Sequence, residues 1–113
     1  MKEQFEGTML RIYFGEDDKW QSKPLHEAIV AKCQELGLAG VTVYRGIEGY
    51  GGSTRIHRVS HWKFSKDAPI TLTIIDRTEQ IDKLLPHLDA MVGEGLIAMS
   101  GVEVIRYSRP EAK

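Results

Sequence analysis

The order in which hydrophobic periodicity changes along the chain constrains the fold more than any single motif. Four segments have the period-two alternation or the β-branched and aromatic content of strands: residues 8–14, 41–45, 70–75 and 102–107. Two segments, residues 24–36 and 76–92, instead repeat apolar side chains at helical spacing. The predicted order of elements is therefore β-α-β-β-α-β.

That order predicts an α+β, ferredoxin-like βαββαβ sandwich, in which both helices cover one face of a four-stranded antiparallel sheet. At 113 residues, the chain is long enough for a single domain spanning residues 1–113. The other sheet face has no cover, so we expect self-association through it. Its predicted apolar residues are Met9, Tyr13, Ile75, Ile105 and Tyr107.

Composition excludes several classes of function. A formal net charge of −1, from 15 Lys+Arg and 16 Asp+Glu, gives no general attraction to nucleic acid. A single cysteine, Cys33, excludes an internal disulfide and a cysteine-rich zinc site, and its helical spacing predicts a packing role. No apolar run approaches the roughly 20 residues of a membrane span, and the first residues lack a signal-peptide pattern. A cytoplasmic protein is expected.

Local signals predict where the elements begin and end. Ser22 or Lys23 is placed near the start of the first helix with Pro24 in its first turn, and Gly37 is placed at its end. Asp76 or Thr78 is expected to cap the second helix, which Pro86 should kink. A β-bulge is predicted at Gly46, and Trp62 and Phe64 indicate a short extended piece.

The segment after the second predicted strand combines glycine with positive charge. Four glycines lie between residues 46 and 52, and no Asp or Glu occurs from Gly49 to Lys66. Glycine permits positive φ and close backbone approach, and guanidinium groups complement phosphate or carboxylate oxygens, so the segment favours an anionic ligand. A solvated basic loop, balanced by the acids of residues 16–18, is the alternative. The basic residues and histidines are Arg55, His57, Arg58, His61, Lys63 and Lys66.

Other chemistry has little support in the sequence. His57 and His61 would lie about 13 Å apart on an extended strand, too far to share a metal ion. His26 and His87 lie on the predicted helices and are expected at their surfaces. Ser53 has no nearby acid to orient a His57 base. No catalytic residue and no metal site are predicted.

Several motifs together resemble a known family. The motifs are LAGVTVYRGIEGYG at residues 38–51, STRIH at 53–57, IYFGED at 12–17, and Pro24-Leu25. This combination resembles an uncharacterised PII-like family, domain of unknown function one-ninety, over nearly the whole chain. It is more distantly similar to the PII signalling proteins, in which a Gly-Phe-Gly segment opens a long ligand-responsive loop.

The resemblance implies a homotrimer that binds adenine nucleotide or another small anionic effector in the clefts between subunits. Such a protein would regulate a protein partner, of which a membrane transporter or channel is an example. The ligand-binding residues predicted from the resemblance and the basic segment are Thr42, Gly49, Gly51, Gly52, Ser53, Arg55, His57 and Arg106, with Arg109 as a further candidate.

One departure from the PII pattern leaves alternatives open. PII proteins have a glycine-and-lysine phosphate loop after the second helix, whereas residues 93–101 contain no lysine. The effector is therefore either an adenine nucleotide or a different anion or metabolite. The alternative function is a CutA-like trimeric structural or metal-binding protein without a nucleotide effector.

Overall fold

The computed structural model describes residues 1–51, 55–58 and 68–110. Four strands form one antiparallel sheet in the spatial order Thr42–Arg45, Pro69–Arg77, Lys2–Gly15 and Leu96–Tyr107, and both helices pack on one of its faces. The predicted ferredoxin-like α+β sandwich is confirmed. The elements are β1 (Lys2–Gly15), β2 (Lys19–Trp20), β3 (Lys23–Pro24), α1 (Leu25–Leu36), β4 (Thr42–Arg45), β5 (Glu48–Gly51), β6 (Arg55–Arg58), β7 (Pro69–Arg77), α2 (Thr78–Met91) and β8 (Leu96–Tyr107).

The core lies between the two helices and the covered face of β1 and β7. Leu10 and Ile12 of β1 are fully buried, as are Leu72 and Ile74 of β7. The helices contribute buried residues at the spacings that the sequence predicted: Leu25, Ile29 and Cys33 from α1, and Ile81, Leu84, Leu88 and Met91 from α2. Each fully buried Leu or Ile contributes about 1.5–3 kcal/mol by leaving water, so this layer is the main source of stability.

The start of α1 differs from the prediction. Gln21 and Ser22 have φ of 50° and 69°, and they form the two-residue turn between β2 and β3. Ser22 is therefore a hairpin residue rather than a cap, and Pro24 holds the position before the helix without a side-chain cap hydrogen bond. The predicted stop is correct: Gly37 has φ of 81°, and the Leu38 amide donates to the Cys33 carbonyl at 2.9 Å.

The junction between β7 and α2 also differs from the prediction. Neither Asp76 nor Thr78 makes a cap hydrogen bond to α2. The buried Asp76 carboxylate instead accepts the amides of Ala39 at 2.9 Å and Arg77 at 2.7 Å, which ties this junction to the segment before β4. Pro86 does not end the helix, which continues to Met91.

The first and last strands are longer than predicted. β1 pairs with β8 from Lys2 to Tyr13, whereas β7 reaches only as far as Gly7. Residues 2–6 and 103–107 therefore form a two-stranded arm that extends past β7. The segment 96–101, which the predicted strand did not include, is the first half of β8, because its pairing to β1 satisfies its backbone despite Gly101.

The face of the sheet opposite the helices, here called the open face, differs in part from its predicted composition. Met9, Tyr13 and Ile75 lie on it, as predicted, because they pair with one another or alternate with the buried residues. Ile105 and Tyr107 pair with Gln4 and Lys2 and so share the face of Leu10. Their placement on the open face was wrong, because the alternation of β8 runs without a break from Leu96.

The extended piece predicted around Trp62 and Phe64 lies outside the described residues. Neither described helix combines the length and the hydropathy that a membrane span requires.

Candidate functional site

The glycine-rich segment forms an antiparallel hairpin at one end of the sheet. In this hairpin of β5 and β6, Gly49 pairs with His57 and Gly51 pairs with Arg55. The structure therefore brings four of the predicted ligand-binding residues into register on two adjacent strands. Gly52 and Ser53, also predicted, lie outside the described residues, as do His61, Lys63 and Lys66.

The base of this hairpin packs against a proline ring. A Cβ added at Gly46 would lie 2.7 Å from Cγ of Pro69, and one added at Gly49 would lie 2.9 Å from the same atom. The Gly46 amide donates to the Pro69 carbonyl at 2.7 Å. Gly46 follows the end of β4, so the predicted bulge within that strand is wrong. Among the described glycines, positive φ occurs at Gly37, so close approach rather than a left-handed backbone explains Gly46 and Gly49.

An ion pair fixes the same end of the sheet. The Arg45 guanidinium donates to both carboxylate oxygens of Glu16, through Nε at 2.9 Å and an Nη at 3.0 Å. This hydrogen bond raises the pKa of Arg45 above its usual value. The Glu16 amide donates to the Ala68 carbonyl at 2.7 Å. The end of β1, the end of β4 and the start of β7 are therefore joined where the hairpin leaves the sheet.

Thr42 lies at the start of β4, and its register places it on the open face. It is exposed and pairs with Thr73, which in turn pairs with Arg11. Tyr44 occupies the same face of β4 and is 55% exposed. The charged residues that the registers of β1, β4, β7 and β8 place on the open face are three arginines and one glutamate: Arg11, Arg77, Arg106 and Glu3. This face is therefore cationic in a chain whose overall net charge is −1.

Arg106 lies at the other end of the sheet from the hairpin. Arg106 pairs with Glu3 in the arm. Thr42 instead lies level with Arg11 along the strands, because both pair with Thr73. Eight residues separate Glu3 from Arg11 along β1, or about 26 Å at 3.3 Å per residue. The structure thus does not bring Arg106 and Thr42 together within one chain. Arg109 follows β8 and is exposed.

Sequence reasoning missed a cluster around Arg106. The two oxygens of the Glu3 carboxylate each accept a guanidinium hydrogen bond at 3.1 Å, one from Arg77 and one from Arg106. The guanidinium carbon of Arg77 also lies 3.9 Å from the centroid of the Phe5 ring. Extending the period-two alternation of the first strand back to Glu3 would have placed Glu3 and Phe5 on one face with Met9.

The remaining nucleophiles and metal-ligand types form no site in the part of the chain that the structure describes. Burial raises the pKa of the Cys33 thiol to about 11, so the thiol is protonated and unreactive near neutral pH. His26 and His87 lie on α1 and α2, as predicted. In this part of the chain no three side chains of the metal-binding types come together.

Comparisons with known proteins agree with this architecture. A UPF0166 protein of Aquifex aeolicus is 34% identical over 97 residues, which span 86% of this chain and 91% of that protein. Among solved structures, CPII from Thiomonas intermedia K12, a nitrogen regulatory PII-like protein bound to ADP, AMP and bicarbonate, is similar with a TM-score of 0.62 and 18% identity. That likeness covers 90% of this chain and 91% of CPII.

A second solved structure, CutA1 from Oryza sativa, has a TM-score of 0.51 and 19% identity, covering 92% of this chain and 84% of CutA1. At these identities the two structures are evidence for a shared fold, and CPII confirms the expected resemblance to PII-like proteins. The model of the DUF190 family, described as "Uncharacterized ACR, COG1993", matches residues 7–104, and the chain belongs to that family.

Proposed function

We propose that this protein is a cytoplasmic PII-like regulatory protein, not an enzyme, in which residues 1–113 act as one domain. In this proposal it assembles as a homotrimer, binds an adenine nucleotide or another small anion between subunits, and regulates a protein partner such as a transporter or channel. Nucleic acid is not a partner. The proposed ligand-binding residues are Thr42, Gly49, Gly51, Gly52, Ser53, Arg55, His57 and Arg106.

The observation that carries the proposal is the separation of the candidate residues between two ends of one sheet. Thr42 and the β5–β6 hairpin lie at one end, and Arg106 lies about 26 Å away along the strands. A small nucleotide does not span that distance. Residues from both ends can contact one ligand if they come from different subunits, as a site between subunits requires.

The open face supports assembly. Ile75 is 41% exposed and Leu96 is 62% exposed, and both lie on the face that the helices leave uncovered. Exposed apolar surface of this kind favours association with other copies of the chain. Arg77 and Arg106, on the same face, complement an anion that is enclosed when the copies meet.

The class of ligand rests on charge and on fold likeness. CPII, whose fold this chain shares, was solved with ADP, AMP and bicarbonate bound. Arg106 and Arg77 supply guanidinium groups on the open face, and guanidinium groups suit the oxygens of phosphate or bicarbonate. These observations favour an anionic effector over a metal ion.

Titration calorimetry and light scattering test the proposal. We expect the full chain to have the mass of a trimer and to bind ADP, AMP or bicarbonate. Arg106→Ala should weaken binding at least about tenfold, because a charge-assisted hydrogen bond to the ligand is lost. The control is Lys83→Ala, which removes one positive charge from an exposed position on α2. A monomer that binds none of the three ligands would overturn the proposal.

The alternative function is a CutA-like trimer that has a structural or metal-binding role without a nucleotide. The likeness to rice CutA1 favours retaining it. The same titrations separate the two functions, since the alternative predicts a trimer that binds none of ADP, AMP and bicarbonate.

A further inference from the structure

Two arginines at the arm end of the sheet converge on one acidic group. The Nη2 atoms of Arg77 and Arg106 lie 3.1 Å from different oxygens of the Glu3 carboxylate. We propose that Arg77 and Arg106 form a phosphate-binding pair and that the Glu3 carboxylate occupies this pair as an internal competitor. The inference deepens the proposed function and rests on it for the identity of a nucleotide as the natural ligand.

The geometry of the cluster supports this assignment. The two guanidinium groups come from β7 and β8, which flank β1, and they approach Glu3 from opposite sides of that strand. Each carboxylate oxygen therefore stands where a phosphate oxygen would accept a hydrogen bond from one arginine. Phosphate has further oxygens and a larger negative charge, so it complements two guanidinium groups better than one carboxylate does.

The charge and exposure of the cluster allow a phosphate to displace the Glu3 carboxylate. The three side chains are 40–45% exposed, so neither arginine is buried behind the carboxylate. Two guanidinium groups around one carboxylate leave a local charge of +1, and ion pairs this exposed to solvent add little stability. A diphosphate can therefore displace Glu3 at little energetic cost.

Phe5 and Gly7 position the Arg77 guanidinium for phosphate binding. The Phe5 ring lies under the Arg77 guanidinium, and its Cε2 would be 3.3 Å from a Cβ at Gly7. The absence of a side chain at Gly7 gives the ring this position. The stacked ring keeps Arg77 over the open face whether or not Glu3 contacts it.

A purely structural role for Glu3 makes a different prediction. In that case the carboxylate would tie the arm to β7, and its loss would lower stability without improving anion binding. Competition instead predicts tighter anion binding once the carboxylate is gone. The two roles therefore differ in the sign of the effect on affinity.

The experiment is calorimetric titration of the full chain with inorganic pyrophosphate and, separately, with ADP at low ionic strength. The test variant is Glu3→Gln, and the matched control is Glu6→Gln, which removes the same charge from the other face of the arm. Arg77→Ala is tested alone and together with Glu3→Gln. Arg11→Ala serves as the control for an arginine on the open face outside the pair.

We expect Glu3→Gln to bind pyrophosphate about three- to tenfold more tightly, because a competing ion pair is removed. Glu6→Gln should change the affinity less than about twofold, since it faces away from the pair. Arg77→Ala should abolish the gain and weaken binding even with Glu3 intact, whereas Arg11→Ala should not. Unchanged or weaker pyrophosphate binding by Glu3→Gln would overturn the inference, and so would full affinity in Arg77→Ala.

These measurements distinguish failure of the inference from failure of the proposed function. In one outcome, ADP binds while neither Glu3→Gln nor Arg77→Ala alters the affinity for ADP or pyrophosphate. That result overturns the proposal that Glu3 competes with phosphate, and the proposed function stands. If ADP does not bind but Glu3→Gln gains pyrophosphate affinity that Arg77→Ala removes, the arginine pair stands and the nucleotide is wrong. A urea titration of each variant reports any loss of folding.

Discussion

The two ends of the sheet differ in how they are held together. At the hairpin end, Gly46 and Gly49 pack against the Pro69 ring, and the Arg45–Glu16 ion pair joins the strand ends. At the arm end, two guanidinium groups share Glu3, and Gly7 lies against the backbone of Asp76. A conspicuous glycine motif thus marks the hairpin end, whereas the convergent cations lie at the end that has no such motif.

The core between the two ends provides the largest expected effect. Cys33 is buried on α1, and its pKa of about 11 is above the usual value of 9.0. At pH 8 the thiolate fraction should be about a hundredfold below that of the unfolded chain, so iodoacetamide should label the folded protein at least that much more slowly. Because the unfolded chain loses this proton first, stability should fall as the pH rises from 9.0 to about 11.

This labelling also tests whether a substitution at either end of the sheet unfolds only that end or opens the core as well. Rapid labelling of the folded wild type at pH 8 would contradict the burial of Cys33. In variants of either end, slow labelling indicates that the damage is local, and fast labelling indicates that the core has opened.

Gly7→Ala is expected to have the largest effect at the arm end. Its Cβ would lie 2.5 Å from the Asp76 carbonyl oxygen, which is backbone and cannot move independently of β7. We expect a loss of about 2–3 kcal/mol in the free energy of unfolding, measured by urea titration. Gly101→Ala is the matched control: it pairs with Thr8 in the same ladder and has nothing within 4 Å of its Cβ. Equal losses in both variants would contradict the contact at Gly7.

Gly46→Ala should have a smaller effect at the hairpin end. Its Cβ would lie 2.7 Å from Pro69 Cγ, a side-chain atom whose ring can shift with the hairpin. We expect a loss of about 1–2 kcal/mol and faster proteolysis within residues 46–58. Gly40→Ala, with nothing within 4 Å, is the control. If Gly46→Ala matched Gly40→Ala in both measurements, the packing on Pro69 would not hold the hairpin.

Arg77→Ala should have the smallest effect on stability. It removes the contact with the Phe5 ring and one of two partners of Glu3, all of them partly exposed. We expect a loss of about 0.5–1 kcal/mol, decreasing as salt is added, by urea titration at two ionic strengths. A loss independent of salt would indicate packing rather than charge as the contribution of Arg77.

The sequence predicted those parts of the fold in which local pattern and tertiary burial agree. Residues 70–75 alternate cleanly because one face of β7 is buried in the core. Residues 2–6 and 96–101 were assigned to no strand, because both segments are mostly exposed and their pairing comes from a distant partner strand. Ser22 was misassigned for a similar reason, since its turn is defined by a two-residue hairpin that propensity alone does not reveal.

The candidate site was predictable only in part. Glycine and basic residues at 49–57 identified a candidate site, whereas the pairing of β5 with β6 was not predicted. Glu3, Phe5 and Arg77 were missed because they come from two segments about 70 residues apart. Their convergence depends on the order β7-β1-β8, which places one arginine on each side of one glutamate.

Binding of ADP by mixed oligomers tests the central claim most directly. Arg55→Ala damages the hairpin end and Arg106→Ala damages the arm end, so oligomers of either variant alone should bind ADP poorly. When the two variants are unfolded together and reassembled in equal amounts, we predict that about a quarter of the sites regain wild-type affinity, since that fraction combines two intact ends from neighbouring subunits. Mixed oligomers that bind no more ADP than the separate variants would contradict a site shared between subunits.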